Sequence, residues 1–197
     1  MERKGFTLLE MLIVVGVILI LVGLLLVGLR VLTTSSGAKA TGQTLENLAA
    51  MLTEYGTARS LREFQGGPIE APGSVQEGAA GRYSQAVKET VEAYARMMQV
   101  PTIRQAMQRL PTDQLMSPEE AQKNGMRTDV RAVLDAWNNP IIYVPTGGLS
   151  GVNVAKSQRL ITTSGEPTSR MNRPFFASAG PDGDFAKGDD NVYSFEN

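Results

Sequence analysis

The chain lacks cysteine and histidine altogether, and neither sign of charge dominates: 19 Lys and Arg stand against 20 Asp and Glu. Without cysteine there is no disulfide staple. Without histidine or cysteine there is no Ser-His-Asp or Cys-His nucleophile and no His- or Cys-ligated zinc. Any metal must therefore bind through oxygen. The near-neutral balance and the absence of a Lys/Arg cluster argue against a nucleic-acid surface. Aromatic residues are few, with a single tryptophan. At 197 residues, the length suits one membrane helix and one modest domain.

What the chain does have is a long apolar run. From Met11 to Leu29 no side chain is charged or hydrogen-bonding, and the residues are Leu, Ile, Val, Met and three glycines. At about 1.5 Å per residue the run reaches roughly 28 Å, close to the ~30 Å hydrocarbon core of a bilayer. Buried core helices rarely stay apolar all round for so long, so the run is expected to span a membrane. Glu10 sits at its start. Ionised in hydrocarbon it would cost at least about 2.5–3.5 kcal/mol. Two readings follow: the carboxylate snorkels to nearby headgroups, or a cationic partner from another chain meets it.

Arg3-Lys4-Gly5-Phe6-Thr7-Leu8-Leu9-Glu10, followed by the apolar block, resembles the class III signal of type IV pilins and type II secretion pseudopilins. The resemblance implies cleavage after Gly5 by a prepilin peptidase and methylation of the new Phe6 amine. It also implies that Glu10 pairs with the Phe6 ammonium of a neighbouring subunit in a helical filament. The flanking charges, Arg3 and Lys4 against Arg30 and Lys39, give only a weak positive-inside bias. The resemblance sets the topology, with a cytoplasmic leader and everything after the span on the other side of the inner membrane. A conventional secretory signal cleaved near Ser36-Gly37-Ala38 is the competing reading, but the run exceeds the usual 7–15 apolar residues.

Beyond the span, Thr33 to Gly37 is small and polar, a place for a helix to loosen. Leu45, Leu48, Ala49, Leu52 and Tyr55 then follow helical spacing, with Glu46, Asn47, Thr53 and Glu54 on the other face. One continuous helix from Phe6 to about Ala58 would be roughly 80 Å long, a spine that matches pilin architecture. Gly16, Gly23 and Gly28 either thin the helix for close packing or are ordinary membrane-helix glycines. Gln65 to Gly81 reads as a loop, with Gly66-Gly67-Pro68 and Pro72-Gly73 as breakers.

A second helix is predicted from near Tyr83, with Val87, Val91, Tyr94, Ala95 and Met98 on one face. Pro101 interrupts it, and Ile103 to Leu110 predicts another short helix. Ser117-Pro118-Glu119-Glu120 carries an N-cap, a proline at the first helical position and acids in the first turn. Asp129 to Ala136, with Val130, Val133 and Leu134, predicts a further turn or two of helix. The Met97-Met98 pair reads as core. Ile141 to Pro145 is a short β-rich run, and Leu160 to Thr163 and Phe175 to Ser178 are two more strands, making a small antiparallel sheet. Trp137 is expected to bury against the spine helix. Asp135-Ala136-Trp137-Asn138-Asn139-Pro140 resembles the Asp-x-Trp-Gly-x-Pro segment of major pseudopilins, with Asn138 in place of Gly; both residues tolerate left-handed backbone.

Asp182, Asp184, Asp189 and Asp190 place four carboxylates within nine residues. Such a cluster is either a solvated turn or the holder of a hard cation, for which calcium with its oxygen ligands is the natural choice. The run from Ser178 resembles the C-terminal calcium loop of major type II pseudopilins. That resemblance implies side-chain oxygens from Asp182 and from Asp189 or Asp190, with Ser178 and nearby carbonyls completing the set; Asp184 has no clear counterpart.

The fold class expected is therefore α+β and pilin-like. Residues 1–5 are a cleaved leader, and 6–58 form a long helix that crosses the membrane over about 6–29. Residues 59–82 are a loop, 83–134 a helical insertion, and 135–197 a small β region ending in the acidic loop. The resemblance covers about 1–58 and 134–197. It implies a structural, non-enzymatic pseudopilin that polymerises with itself into a periplasmic filament for type II secretion. Its partners would be the prepilin peptidase, the inner-membrane assembly platform and minor pseudopilins. An adhesion, motility or DNA-uptake pilin is the alternative. A membrane-anchored hydrolase using Asp182 and Asp189 is a third reading, with no substrate motif beside it.

Overall fold

The computed structural model describes residues 8–67, 69–70, 85–150, 173–185 and 190–195, and within these leaves aside the side chains of 25–35 and of Glu63, Glu70 and Ser150. Two compact units divide the chain, Met1–Ser36 and Gly37–Asn197. The first helix, α1, covers Leu8–Ala58, 51 residues. Thr33 to Gly37, where a loosening was expected, carries the helical assignment of α1 and contains the boundary between the two units.

In the first unit, α1 is an apolar rod. From Leu8 to Leu24 the large hydrophobic side chains are between 46 and 86 % exposed. A Cβ at Gly16 or Gly23 would meet nothing within 4 Å. Among the described residues no helix is long and apolar enough to cross a membrane, the described side chains of this run ending at Leu24.

The second unit is a mixed α+β domain. Leu45, Leu48, Leu52 and Tyr55 of α1 are buried, whereas Glu46, Asn47, Thr53 and Glu54 face solvent, as the periodicity requires. Against this stripe pack α2 (Gln85–Met97), α3 (Pro101–Gln108) and α4 (Pro118–Lys123) with the strands. Val87, Val91, Tyr94 and Met97 supply the buried face of α2. Pro101 opens α3 at its first turn, where its missing N–H costs nothing. Ser117 caps α4, its Oγ accepting from Glu120 N at 3.1 Å.

The strands are β1 (Ile69–Glu70), β2 (Ile142–Val144), β3 (Leu149–Ser150), β4 (Phe175–Ser178) and β5 (Val192–Tyr193). β2, β4 and β5 form an antiparallel sheet in that order, with Tyr143 opposite Phe176 and Ala177 opposite Tyr193. β1 and β3 make a separate parallel pair that the sequence pattern did not announce. All four residues of β4 are buried, and Phe176 stacks on Tyr94 of α2 at 5.8 Å between ring centroids. Each such aromatic or aliphatic side chain taken fully out of water contributes about 1.5–3 kcal/mol.

One expected helix is not there. Residues 129–136 are extended and irregular, and they pair with neighbours instead of with themselves. Met116 N donates to Ala132 O, Leu134 N to Gln114 O and Ile141 N to Val133 O, all within 2.8–2.9 Å. Those partners satisfy the backbone while Val130, Ala132, Val133 and Leu134 are all buried, which one helical face could not arrange. The strand expected at Leu160 to Thr163 lies outside the described residues.

Candidate functional site

The corner between residue 135 and β2 is built around a buried carboxylate. Asp135 is only 5 % exposed. Its Oδ1 accepts from Trp137 N at 2.9 Å and from Asn139 N at 2.8 Å, while Oδ2 accepts from Ser178 Oγ at 2.6 Å. The main chain closes the same loop, Asp135 N donating to Asn139 O at 2.8 Å and Asn138 N to Asp135 O at 3.1 Å. Asn138 occupies the left-handed region with φ 68°, a conformation that Asn tolerates better than most residues. Burial pushes the Asp135 carboxyl above its ordinary range, against the opposing pull of hydrogen bonds from Ser178, Asn139 and Trp137.

This corner reaches α1 on one side. Trp137 lies over Gly37, where an added Cβ would sit 2.8–2.9 Å from the indole. Thr41 is buried, and its Oγ1 accepts from Ala136 N at 3.1 Å. The tryptophan is half-buried, packed on the helix at a position with no side chain of its own.

On the other side the corner holds the turn after β4. Asn139 Nδ2 donates to Gly180 O at 2.8 Å, and Gly180 N donates to Ser178 Oγ at 3.1 Å. Gly180 has φ 71°, and a Cβ there would lie 2.3 Å from Asp190 O, so this close approach requires glycine. Asp182 Oδ1 accepts from Asp184 N at 2.8 Å, an Asx turn. Asn191 Nδ2 donates to Phe185 O and to the Tyr193 hydroxyl, both at 3.2 Å. Its Oδ1 is buried with no hydrogen-bond donor among the described residues.

Of the residues expected to hold a metal, the structure therefore puts Ser178 in the Asp135 network, with its hydroxyl proton donated to a carboxylate. Asp182 and Asp190 border the turn, and Asp189 lies outside the described residues. Among the described residues no three acids gather into a metal-binding group. Asn191 offers a buried amide oxygen, a donor type that a pattern of carboxylates in the sequence does not reveal. Asp135 was named as the head of the Asp-x-Trp segment but given no role of its own. Its signal was the spacing of an acid two residues before the lone Trp and four before an Asn, the pattern of a side chain capping its own loop.

In the first unit, Glu10 stands exposed near the start of the described part of α1. Gly5 and Phe6 lie outside the described residues. Residues 1–26 match the family model of the prokaryotic N-terminal methylation motif. The chain carries a type IV pilin-like prepilin signal. Such a signal implies a membrane-anchored N-terminus, processing by a prepilin peptidase and a structural subunit that polymerises, rather than an enzyme. The signal places Gly5, Phe6 and Glu10 inside the matched stretch, and everything from Val27 onward outside it. No curated protein and no solved structure matches the chain.

Proposed function

We propose that the chain is a pseudopilin subunit that polymerises into a periplasmic filament driving type II protein secretion. The observation that carries this reading is the prepilin signal over residues 1–26 at the head of a helix that runs on to Ala58. Cleavage after Gly5 would leave Phe6 as the methylated N-terminus. The exposed apolar side chains from Leu8 to Leu24 call for a lipid or protein cover, and an inner-membrane span with the N-terminus cytoplasmic supplies it. Within the assembled filament the Glu10 carboxylate would meet the Phe6 ammonium of the next subunit. The absence of cysteine and the acidic C-terminal turn support a pseudopilin over a type IV pilin for adhesion, motility or DNA uptake.

Calcium belongs to the same proposal. The donor set that suits it is the oxygen of Asp182, Asp190 and Asn191, with Asp189 alongside in sequence and loop carbonyls filling the shell. The buried Asn191 oxygen supports this assignment, since a buried acceptor is stable only with a donor or a cation beside it. Ser178 fits less well than expected, its hydroxyl being engaged with Asp135. Bound calcium would supply fixed positive charge to the turn.

The test is mass spectrometry of the protein extracted from its native membrane. The expected mass lacks Met1–Gly5 and carries one added methyl group on Phe6. An intact leader sinks the reading. Deleting the chain from its host then separates the two filament types: lost secretion of folded exoproteins supports a pseudopilin, and lost surface pili with secretion intact supports a pilin.

A further inference from the structure

Three stretches far apart in sequence meet at one place in the second unit: α1 at Gly37 to Thr41, the corner 135–140 and the turn Ser178–Phe185. Their order of attachment is specific. Helix and corner touch through Trp137 on Gly37 and through the bond from Ala136 N to Thr41 Oγ1. The backbone that presents Trp137 and Ala136 is held by Asp135 Oδ1, which takes both Trp137 N and Asn139 N. The turn grips that corner at two points, Ser178 Oγ on Asp135 Oδ2 and Gly180 O on Asn139 Nδ2. Asp135, Asn139 and Ser178 are all buried, so these bonds are made away from water and a broken one leaves a polar group without compensation.

We propose that the turn Ser178–Phe185 is a strap that fastens the Trp137 corner and thereby makes the corner's grip on α1 conditional on the turn's own conformation. The hydrogen-bond chain Gly180–Asn139–Asp135–Trp137 gives the route, and Ser178 is its second arm. Releasing the strap beyond β4 leaves Asn139 short of a partner and leaves Ser178, still paired in β4, as the only remaining tie to Asp135 from this side. The corner then relaxes, and Trp137 and Ala136 lift from the helix. The side chains involved are positioning residues; none of them is required to touch a ligand, so the device stands whether or not calcium is bound.

The test uses the full-length chain in detergent micelles and follows amide exchange with the fluorescence of Trp137, the chain's sole tryptophan. Gly180→Ala forces the strap open, because its Cβ runs into Asp190 O and its backbone is left-handed, while no corner side chain changes. Asn139→Ala cuts one tie directly. In both, exchange should rise about fivefold to tenfold at Gly37–Thr41 and at Trp137, the effect of one lost buried hydrogen bond. Tryptophan emission should move to the red, and α2 should keep its protection. Faster exchange confined to 178–185, or an equal rise throughout α2, overturns the proposal. The unmutated chain provides the same test where a variant does not fold. In rising sub-denaturing urea, the amides of the strap, the corner and Gly37–Thr41 should open as one cooperative unit, and separate opening energies for strap and helix overturn it.

Discussion

Tyr94 is the residue whose chemistry is hardest to reconcile with its surroundings. Its ring stacks on Phe176 and is fully buried, yet its hydroxyl has no hydrogen-bond partner among the described residues. Burial alone drives its ionisation far above the ordinary tyrosine range. A buried hydroxyl without a partner costs about 1–3 kcal/mol. Tyr94→Phe keeps the ring contact and removes that cost, so the variant should melt at the wild-type temperature or above it in a thermal scan. Tyr143 is the contrasting case, because its hydroxyl donates to Phe64 O. Asp135 gives a second expectation at this scale. Burial raises its pKa from the ordinary 3.8, so the fold favours the neutral acid. That contribution is whole below 3.8 and is lost as pH rises through the raised value. Asp129 titrates on the other side, since a hydrogen bond from Arg127 holds its pKa low and its contribution disappears as pH falls through the lowered value. Melting temperature against pH should therefore show a fall above 3.8 that Asp135→Asn abolishes and Asp129→Asn leaves in place. The local half of the Asp135 network was readable from its spacing to Trp137 and Asn139, whereas its bond from Ser178 and the Tyr143 bond to Phe64 O join residues that only the folded chain brings together.

Elements were legible in proportion to their length. Leu45, Leu48, Leu52 and Tyr55 repeat over three turns, and the stripe they predict is the one that is buried. Ser117-Pro118-Glu119-Glu120 was legible for a different reason, since a cap acts through its own neighbours: Ser117 Oγ accepts from Glu120 N. With only six residues in α4, that bond matters, and Ser117→Ala should lower stability by about 1 kcal/mol in urea unfolding. The segment 129–136 shows the opposite case. Val130, Val133 and Leu134 recur at helical spacing, but the local preference loses to backbone partners supplied by Gln114 and Met116 from across the domain. β1, β3 and β5 contain two residues each, too few for any alternation to be read.

For the molecule as a whole, the prepilin signal was the most legible feature because it is contiguous and is read as sequence by a processing enzyme. The acidic turn was legible as chemistry, but its donor set was not. Asn191 enters only because Phe185 and Tyr193 take its amide N–H groups and turn the oxygen inward. Calcium in the millimolar range should raise the melting temperature of the full-length chain in detergent, and both Asp182→Ala and Asn191→Ala should reduce that rise. An unchanged melting temperature in the wild type would remove calcium from the proposal. Magnesium, smaller and demanding stricter octahedral geometry, should stabilise less.

The order of strands has one more consequence. The sheet seats β4 between β2 and β5, so Ile142 to Val144 stay unpaired in it until residues 175–178 arrive. On the ribosome α1 emerges long before either, and synthesis at about 5–20 residues per second leaves the middle of the chain waiting for its partner strand for seconds. The apolar rod is thus complete before the domain can close, so on the proposed function it would reach the membrane ahead of a finished globule.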